Sequence, residues 1–543
     1  MRCRGFMLIV AFVVAIFGGC SRAGGDADRW FGRDRNGCFE EMVEGIAETQ
    51  IVSQDGLRRL GTTWEIELER AGRRFSDART RDDVYYALLS LKNSYHDLHS
   101  RLRIRDEFLP DRKPVELPLK LRVESGEGGY EYVVIESSDD AVSAGSVLVS
   151  VDGRPPAQLE EEFREWHESS SPEHLKFETA KWLVSRDPLV SPAPEVGEST
   201  AFEFRDPDTG TAMKTIFRWA ERRSGGGERA KGRGAAEVLW TPLIPDDYRG
   251  RTPEFVGINY GVYPTARPDV KIVRYHSFRY RFDDAVALWN RLPELSYRPM
   301  PLDPQGPGTR ELATADQREL LGYLKRRGAR TVIFDVRENG GGNLNPWFIA
   351  RLADRPFSIG TRYLHRRPVF EGRSDWTDDV DMGSDFMAEH ARRFFRDNPG
   401  ALVSPEYPFF CTTERCEAGE AVYRPEEGGR PFDLVVLTGP YCASSCDQFV
   451  AIMKGNNIAT TAGLPPRAAQ NPYYYERDFS LRDGTRFSIS MAVGISVGAD
   501  GRDQEGNPPD IDIHIPPSRE NRGDYLGFAV SKIMGDRSGA QMP

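Results

Sequence analysis

The sequence predicts a multidomain α/β protein, and three observations carry that expectation. Its 543 residues exceed what one hydrophobic core usually holds, so two or three domains are expected. The apolar pattern is helical from residue 36 to about residue 110 and turns strand-like from Val115. Further on, an amphipathic helix over 316–327 leads into the buried-strand run Thr331-Val-Ile-Phe-Asp-Val336. A second such run, Asp433-Leu-Val-Val-Leu-Thr438, leads into the apolar, helix-like stretch 449–453. Strand, helix and buried strand in succession are the pattern of parallel strands covered by helices.

Hydrophobic residues make up 39% of the chain and charged residues 29%, the composition of a soluble globular body. The net charge of −11 leaves no basic footprint and argues against a nucleic-acid partner. At the N-terminus, Arg2 and Arg4 precede an apolar run over 6–17 and then Gly18-Gly-Cys20. That run is too short to span a membrane. Small residues directly before a cysteine resemble a bacterial lipoprotein signal, with Cys20 as the lipidated residue; plain secretory cleavage nearby is the alternative. On either reading the protein is exported. The lipoprotein reading places it in the bacterial cell envelope, with residues 1–19 as signal peptide and 20–35 as a flexible tether to the membrane.

In the segment 36–112, Leu57, Leu60, Trp64, Ile66 and Leu68 punctuate charged residues, and 84–91 forms a second helical stripe. It ends in Asn93-Ser-Tyr-His-Asp-Leu-His99-Ser, where a lone histidine is most simply a satisfied helix-end residue. Strand patterns follow at 117–123 and 130–135. Ser143-Ala-Gly-Ser-Val-Leu-Val-Ser-Val-Asp-Gly-Arg154 is similar to part of a PDZ domain, which implies a β module over 113–198 able to add a peptide strand to a sheet edge. The glycine-rich carboxylate-binding loop of such domains is missing. The remainder, 199–543, is expected to hold the α/β core, with insertions near 222–255 and 360–430. A strand pair is expected around Asp206-Pro-Asp-Thr-Gly210, and a surface helix or lid over 376–398.

The stretch Gly439-Pro-Tyr-Cys-Ala-Ser-Ser-Cys-Asp-Gln-Phe449 stands between a strand and a helix. Such a corner sets Ser444 at a helix N-terminus, where free amides favour a developing negative charge. On this stretch alone, an ordinary capping serine is the simpler reading. Two further pieces change the balance. The strand ending at Val336 runs into Arg337-Glu-Asn-Gly-Gly-Gly342, and successive glycines let backbone amides face a ligand closely. Asp500-Gly-Arg-Asp-Gln-Glu505-Gly-Asn-Pro-Pro-Asp510 forms an acidic turn before another strand.

Together these pieces resemble the tail-specific, or C-terminal-processing, serine peptidase family. Asp335-Val-Arg-Glu-Asn-Gly-Gly matches its "DlRgNgGG", and Cys442-Ala-Ser-Ser-Cys-Asp447 its "taSaaE". The acidic turn matches "dG…EG.Gv.PD", and Asp97-Leu-His-Ser100 matches "DgHs", all in the family's order. The resemblance implies a crotonase-like ββα peptidase core acting on protein or peptide substrates without cofactor or metal. Members with a Ser–Lys dyad carry a lysine where this chain reads Thr461-Ala-Gly-Leu-Pro-Pro-Arg-Ala-Ala-Gln470, which has none. A guanidinium does not deprotonate at usable pH, so Arg467 cannot replace it. Lys454, on the helix after the serine, reads as a surface residue. The branch that includes the tricorn protease core uses a His from the N-terminal segment and a Glu near the C-terminus, positions held here by His99 and Glu505. The implied roles are Ser444 as nucleophile, His99 as base, Glu505 as its orienting group, and the amides of Gly341 and Ser445 as the oxyanion hole. The competing reading is a catalytically silent peptide- or ligand-binding protein on the same fold. Asp447, where the family usually has Glu, and Leu98 before the histidine are departures from its pattern.

Export permits disulfides. Besides Cys3 and Cys20 the chain has Cys38, Cys411, Cys416, Cys442 and Cys446, an odd number that leaves Cys38 as the expected free thiol. A Cys411–Cys416 bridge is expected, with Cys442 and Cys446 paired or left as buried thiols; a crossed pairing between the two loops is the rival. No His pair sits at zinc-ligand spacing beside them.

Overall fold

The computed structural model describes residues 28–539 apart from 33, 127–128, 223–247, 249, 282–308, 343, 345, 374, 383–384, 409–421, 427–431, 469–472, 500, 502–505, 507 and 514–524. The signal segment with Cys20, the Cys411–Cys416 loop, Glu505 and most of the expected 222–255 insertion therefore lie outside the described residues.

Three helices, Arg35–Thr49, Trp64–Asp77 and Arg81–Asn93, build the N-terminal segment. Each begins at a side-chain cap, from Asp34, Thr63 and Thr80, and Thr80 with Asp83 closes a reciprocal capping box. Their apolar faces bury Phe39, Met42, Leu68, Phe75 and Leu88 together with Phe487, Ile489 and Met491 from near the C-terminus. Two expectations are corrected here. The tether does not reach residue 35, because a short helix, Asp28–Phe31, already buries Phe31 fully. Nor does the helical pattern reach residue 110: Arg101–Ile104 is a strand, paired antiparallel with Arg486–Ala492 from Arg101↔Ser490 to Ile104↔Phe487. Charged and apolar residues alternate in it because Leu102 and Ile104 pack inward while Arg101 and Arg103 face out.

The second unit is a five-stranded antiparallel sheet whose strands, in spatial order, are Leu119–Gly126, Gly129–Ser137, Val147–Val151, Ser199–Arg205 and Ala212–Arg218. The helices Pro156–Arg164 and Pro172–Trp182 accompany it. Its boundary differs from the expected 198. The strand pair around the Asp206 turn belongs to this sheet, because Phe202, Phe204 and Phe217 point into the same core as Leu121, Val134 and Leu148.

The third unit is the expected α/β core. Its seven-stranded sheet runs Phe255–Val256, Tyr260–Pro264, Val270–Tyr275, Thr331–Asp335, Asp433–Thr438, Thr460–Gly463 and Ile511–Asp512. The last five strands are parallel, with Ile272 beside Ile333 and Ile333 beside Val435. Thr331–Asp335 is buried along its whole length, as a strand covered on both faces must be. One face packs Phe334, Leu320 and Phe449, the other Ile333, Val435 and Ile533. The insertion after residue 360 is a packed body of its own, in which Leu364, Phe370, Trp376 and Phe395 surround Tyr473 and Val493. The surface helix expected over 376–398 is found as Asp385–Asp397, after a short 3-10 turn, Trp376–Asp379. No helix among the described residues is long and apolar enough to cross a membrane.

Candidate active site

Two parallel neighbours in the core, Thr331–Asp335 and Asp433–Thr438, end on the same side of the sheet and deliver the glycine loop and the serine corner next to each other. The chain leaving the second strand turns at Gly439 and enters the helix Ser445–Gly455. Ser444 occupies the N-cap position with φ 56° and ψ −122°, a conformation that a side-chain-bearing residue adopts at a cost of about 1–3 kcal/mol. Its side chain accepts no capping hydrogen bond. The capping role that the sequence allowed is therefore not taken up, and the hydroxyl remains partly exposed.

The strained corner is held from several sides. Cys442 N–H donates to Gly439 O at 2.9 Å, Ala443 N–H to Asn339 O at 3.1 Å, and Arg467 N–H to Cys442 O at 2.7 Å. A disulfide joins Cys442 to Cys446 across it. Since these two cysteines bond each other, the crossed pairing with Cys411 and Cys416 is excluded. Cys38 is buried as a free thiol, and burial pushes its pKa up to about 11.

The glycine loop lies directly against the corner. A Cβ on Gly341, at φ 94°, would come within 2.6 Å of Ala443 O and 2.9 Å of Ser444 Cβ, so this residue must be glycine. Ser445 Oγ donates to Gly342 O at 2.5 Å. Asp335 and Arg337 fix the loop's root through two side-chain bonds at 2.8 and 2.6 Å, and Tyr248 donates to the same carboxylate at 2.6 Å. Burial alone would push the Asp335 carboxyl up, but the Arg337 guanidinium outweighs it and holds the pKa below the usual range. The two amides expected in the oxyanion hole differ in their engagement. Ser445 N–H sits at the first turn of the helix, about 3.0 Å from where a Gly341 Cβ would stand. Gly341 N–H, however, donates to Asn339 Oδ1 at 2.9 Å and is committed in this state.

His99 enters from the N-terminal segment. Asp97 accepts its backbone N–H at 3.0 Å and the Tyr474 hydroxyl at 3.0 Å, while the Tyr474 ring stands edge-on to the imidazole at 6.0 Å. Asp97 thus fixes the turn rather than the ring. Burial lowers the His99 pKa first of all, and Arg101, Arg362 and Arg467 lower it further against the opposing charge of Asp97. Arg467 links the two halves: its charge acts on His99 while its main chain is bonded to the serine loop. Among the described residues the imidazole makes no hydrogen bond, so it is not closed onto Ser444 in this structure.

Asp447, fully buried, accepts the N–H of Gly506 at 3.3 Å and ties the serine helix to the acidic turn that carries Glu505. Lys454 pairs with Asp510 at 3.2 Å and donates to Pro508 O, which engages it away from the serine. Among the described residues no group of His, Cys, Asp and Glu could hold a metal ion. Sequence reasoning missed Tyr474 and Arg362, whose parts arise from contacts across the fold and leave no local pattern, and it quoted Asn339 in the glycine motif without assigning it the bond to Gly341 N–H.

Residues 305–513, which include the glycine loop, the serine corner and the acidic turn, match the family model described as peptidase family S41. This segment belongs to peptidase family S41. The protein is a serine-type peptidase. His99 lies outside the matched stretch. No curated protein matches the sequence at a significant level. Among solved structures, mature CPAF complexed with lactacystin is 15% identical, with 92% of this chain and 97% of that chain covered at a TM-score of 0.61. Mature CPAF alone gives 15% identity, 92% and 96% coverage and a TM-score of 0.59. At that identity the likeness is one of fold, and it spans the N-terminal segment and the β module as well as the S41 core. The photosystem II D1 C-terminal processing protease is 14% identical over 88% of this chain and 93% of that one, with a TM-score of 0.33, too slight to argue from.

Proposed function

We propose that this S41 peptidase is an exported endopeptidase in which Ser444 is the nucleophile, His99 the general base and Glu505 the group that orients the base. The observation that carries this is the state of Ser444: a strained N-cap serine whose hydroxyl caps nothing, pressed against a glycine that no other residue could replace. Ser444 Oγ attacks the scissile carbonyl while His99 takes its proton, then returns it to the leaving amine. The imidazolium formed between these steps needs a carboxylate, and Glu505 is the proposed one because the residue after it in sequence, Gly506, donates to Asp447 on the serine helix. Ser445 N–H receives the oxyanion, and Gly341 N–H joins it once it leaves Asn339. His99 closes onto Ser444 as substrate enters; apo geometry at such sites is often loose.

The Cys442–Cys446 disulfide fits an oxidising compartment, and the N-terminal pattern ending in Cys20 supports a lipid anchor in a bacterial envelope. The five-stranded module, read as PDZ-like, would recruit peptide by strand addition. A serine-reactive fluorophosphonate should modify Ser444, and Ser444→Ala should lower kcat/KM at least about a thousandfold without loss of fold. Modification elsewhere, or robust proteolysis by the variant, overturns the assignment.

A further inference from the structure

Arg467 is fixed by its main chain and left open by its side chain. Its N–H is bonded to Cys442 O at 2.7 Å, its carbonyl accepts from Ser169 Oγ, and the next residue, Ala468, bridges to Ala443. The segment is thereby laid alongside the serine loop. Among the described residues, no carboxylate lies within ion-pair distance of its guanidinium, and its buried Nε has no hydrogen-bond partner. The carboxylates whose charge reaches it, Glu178 and Glu168, are engaged by Lys181 at 3.4 Å and Lys92 at 2.6 Å.

Other cations act, as Arg467 does, on the imidazole of His99. Arg362, on the strand Thr361–Leu364, lies over the Tyr473 ring at 5.8 Å, and Tyr474 follows it to stand against His99. With Arg101, three guanidinium groups act on His99 and one carboxylate, Asp97, opposes them. A buried guanidinium nitrogen without a partner is costly, and an excess of one sign of charge concentrates the opposite sign. The planar fork of a guanidinium matches a carboxylate in two parallel bonds.

We propose that Arg467 reads a carboxylate of the substrate beside the scissile bond, an Asp or Glu side chain or the free C-terminus, so that the peptidase prefers anionic cleavage sites. This deepens the Ser444–His99 reading and rests on it. The test starts from a peptide that the wild-type protein cleaves and Ser444→Ala does not; cleavage by that variant sinks the underlying reading and is seen before Arg467 is touched. The peptide is then made with Glu or Gln at each of the three positions on either side of the bond, and with a free or amidated C-terminus. A charge-assisted bond of about 1.5–3 kcal/mol corresponds to a preference of roughly ten- to a hundredfold in kcat/KM for the acid over its amide. Preference at an internal position identifies a side-chain carboxylate; preference only for the free terminus identifies the C-terminus. Arg467→Gln should bring the ratio towards one, and Arg467→Lys should leave it intermediate. Reading a ratio cancels any general loss of activity, and if Arg467→Gln does not fold, the wild-type ratio and the Lys variant decide. A wild-type ratio near one for every pair, or a ratio unchanged in the substituted proteins, overturns the proposal.

Discussion

Burial is the largest influence on the imidazole of His99, and the guanidinium charges of Arg101, Arg362 and Arg467 act in the same direction. A base works in its neutral form. A pKa held below the ordinary histidine value of about 6.5 therefore keeps kcat/KM near its plateau to lower pH than an unperturbed histidine would. Removing one cation raises that pKa. Arg101→Gln, on the exposed side, should move the acid limb of the pH–kcat/KM profile upward, most clearly at low salt. A limb that stays in place would mean that His99 is not the titrating base. Gly341→Ala tests the opposite wall. Its new methyl meets Ala443 O at 2.6 Å in a backbone conformation with φ 94°, so a stability loss of about 1–3 kcal/mol in denaturant melts is expected. Lys454→Ala should leave peptidase activity near wild type, because Lys454 is engaged by Asp510 and Pro508. Ser444 was legible in the sequence because strand, corner and helix are contiguous there. Tyr474 was not, since its hydrogen bond to Asp97 joins residues 377 positions apart.

Two elements pack around the serine corner and give it a response to redox and to acid. The Cys442–Cys446 bridge closes a short loop, for which chain-entropy reasoning gives roughly 2 kcal/mol. Cys446→Ser, or a reductant, should lower the denaturation midpoint and the activity together; activity untouched by both would show that hydrogen bonds alone hold the corner. On the other side, the helix Pro172–Trp182 presents His174 and Phe177 to Tyr441, with ring centroids 5.5 and 5.9 Å apart, and His167 lies tilted against His174 at 4.9 Å. Burial pushes both histidines well below the ordinary value, aided by the charge of Arg467. Each is thus neutral in the fold, and the stability it contributes is full above about pH 6.5 and lost as the pH falls below it. His174→Gln should flatten the fall of Tm between pH 6.5 and 5, whereas an unchanged slope would assign the acid sensitivity to other groups. The helical, sheet and α/β units were legible from periodicity. The strand Arg101–Ile104 was not, because four residues directly after a helix carry too little pattern to distinguish it.

At the scale of the molecule, the N-terminal segment and the sheet near residue 490 share one core, with Phe39, Leu68 and Phe75 clustered beside Phe487, Ile489 and Met491. Such a core unfolds as one unit. Heating should show these two regions melting in a single transition, by fluorescence and by protease susceptibility alike; an earlier, separate loss of residues 28–112 would contradict it. The module boundary near residue 198 was misplaced for a related reason: the Asp206 turn marks a hairpin but does not say which sheet receives it. Phe202 and Phe204 decide that only through the partners they bury against.

The pairing of Arg101–Ile104 with Arg486–Ala492 also orders events in time. Ser100, next to the histidine, donates to the carbonyl of Ser490, so its resting place does not exist until residue 490 has been made. The nucleophile corner can form earlier, from residues that are neighbours along the chain. The proposed base and nucleophile are therefore brought together only after the strand Arg486–Ala492 has been made. A nascent chain of this design carries Ser444 without its proposed partner while residues 445–485 are still being made, and the proposed pair becomes competent only once the strand Arg486–Ala492 has joined Arg101–Ile104.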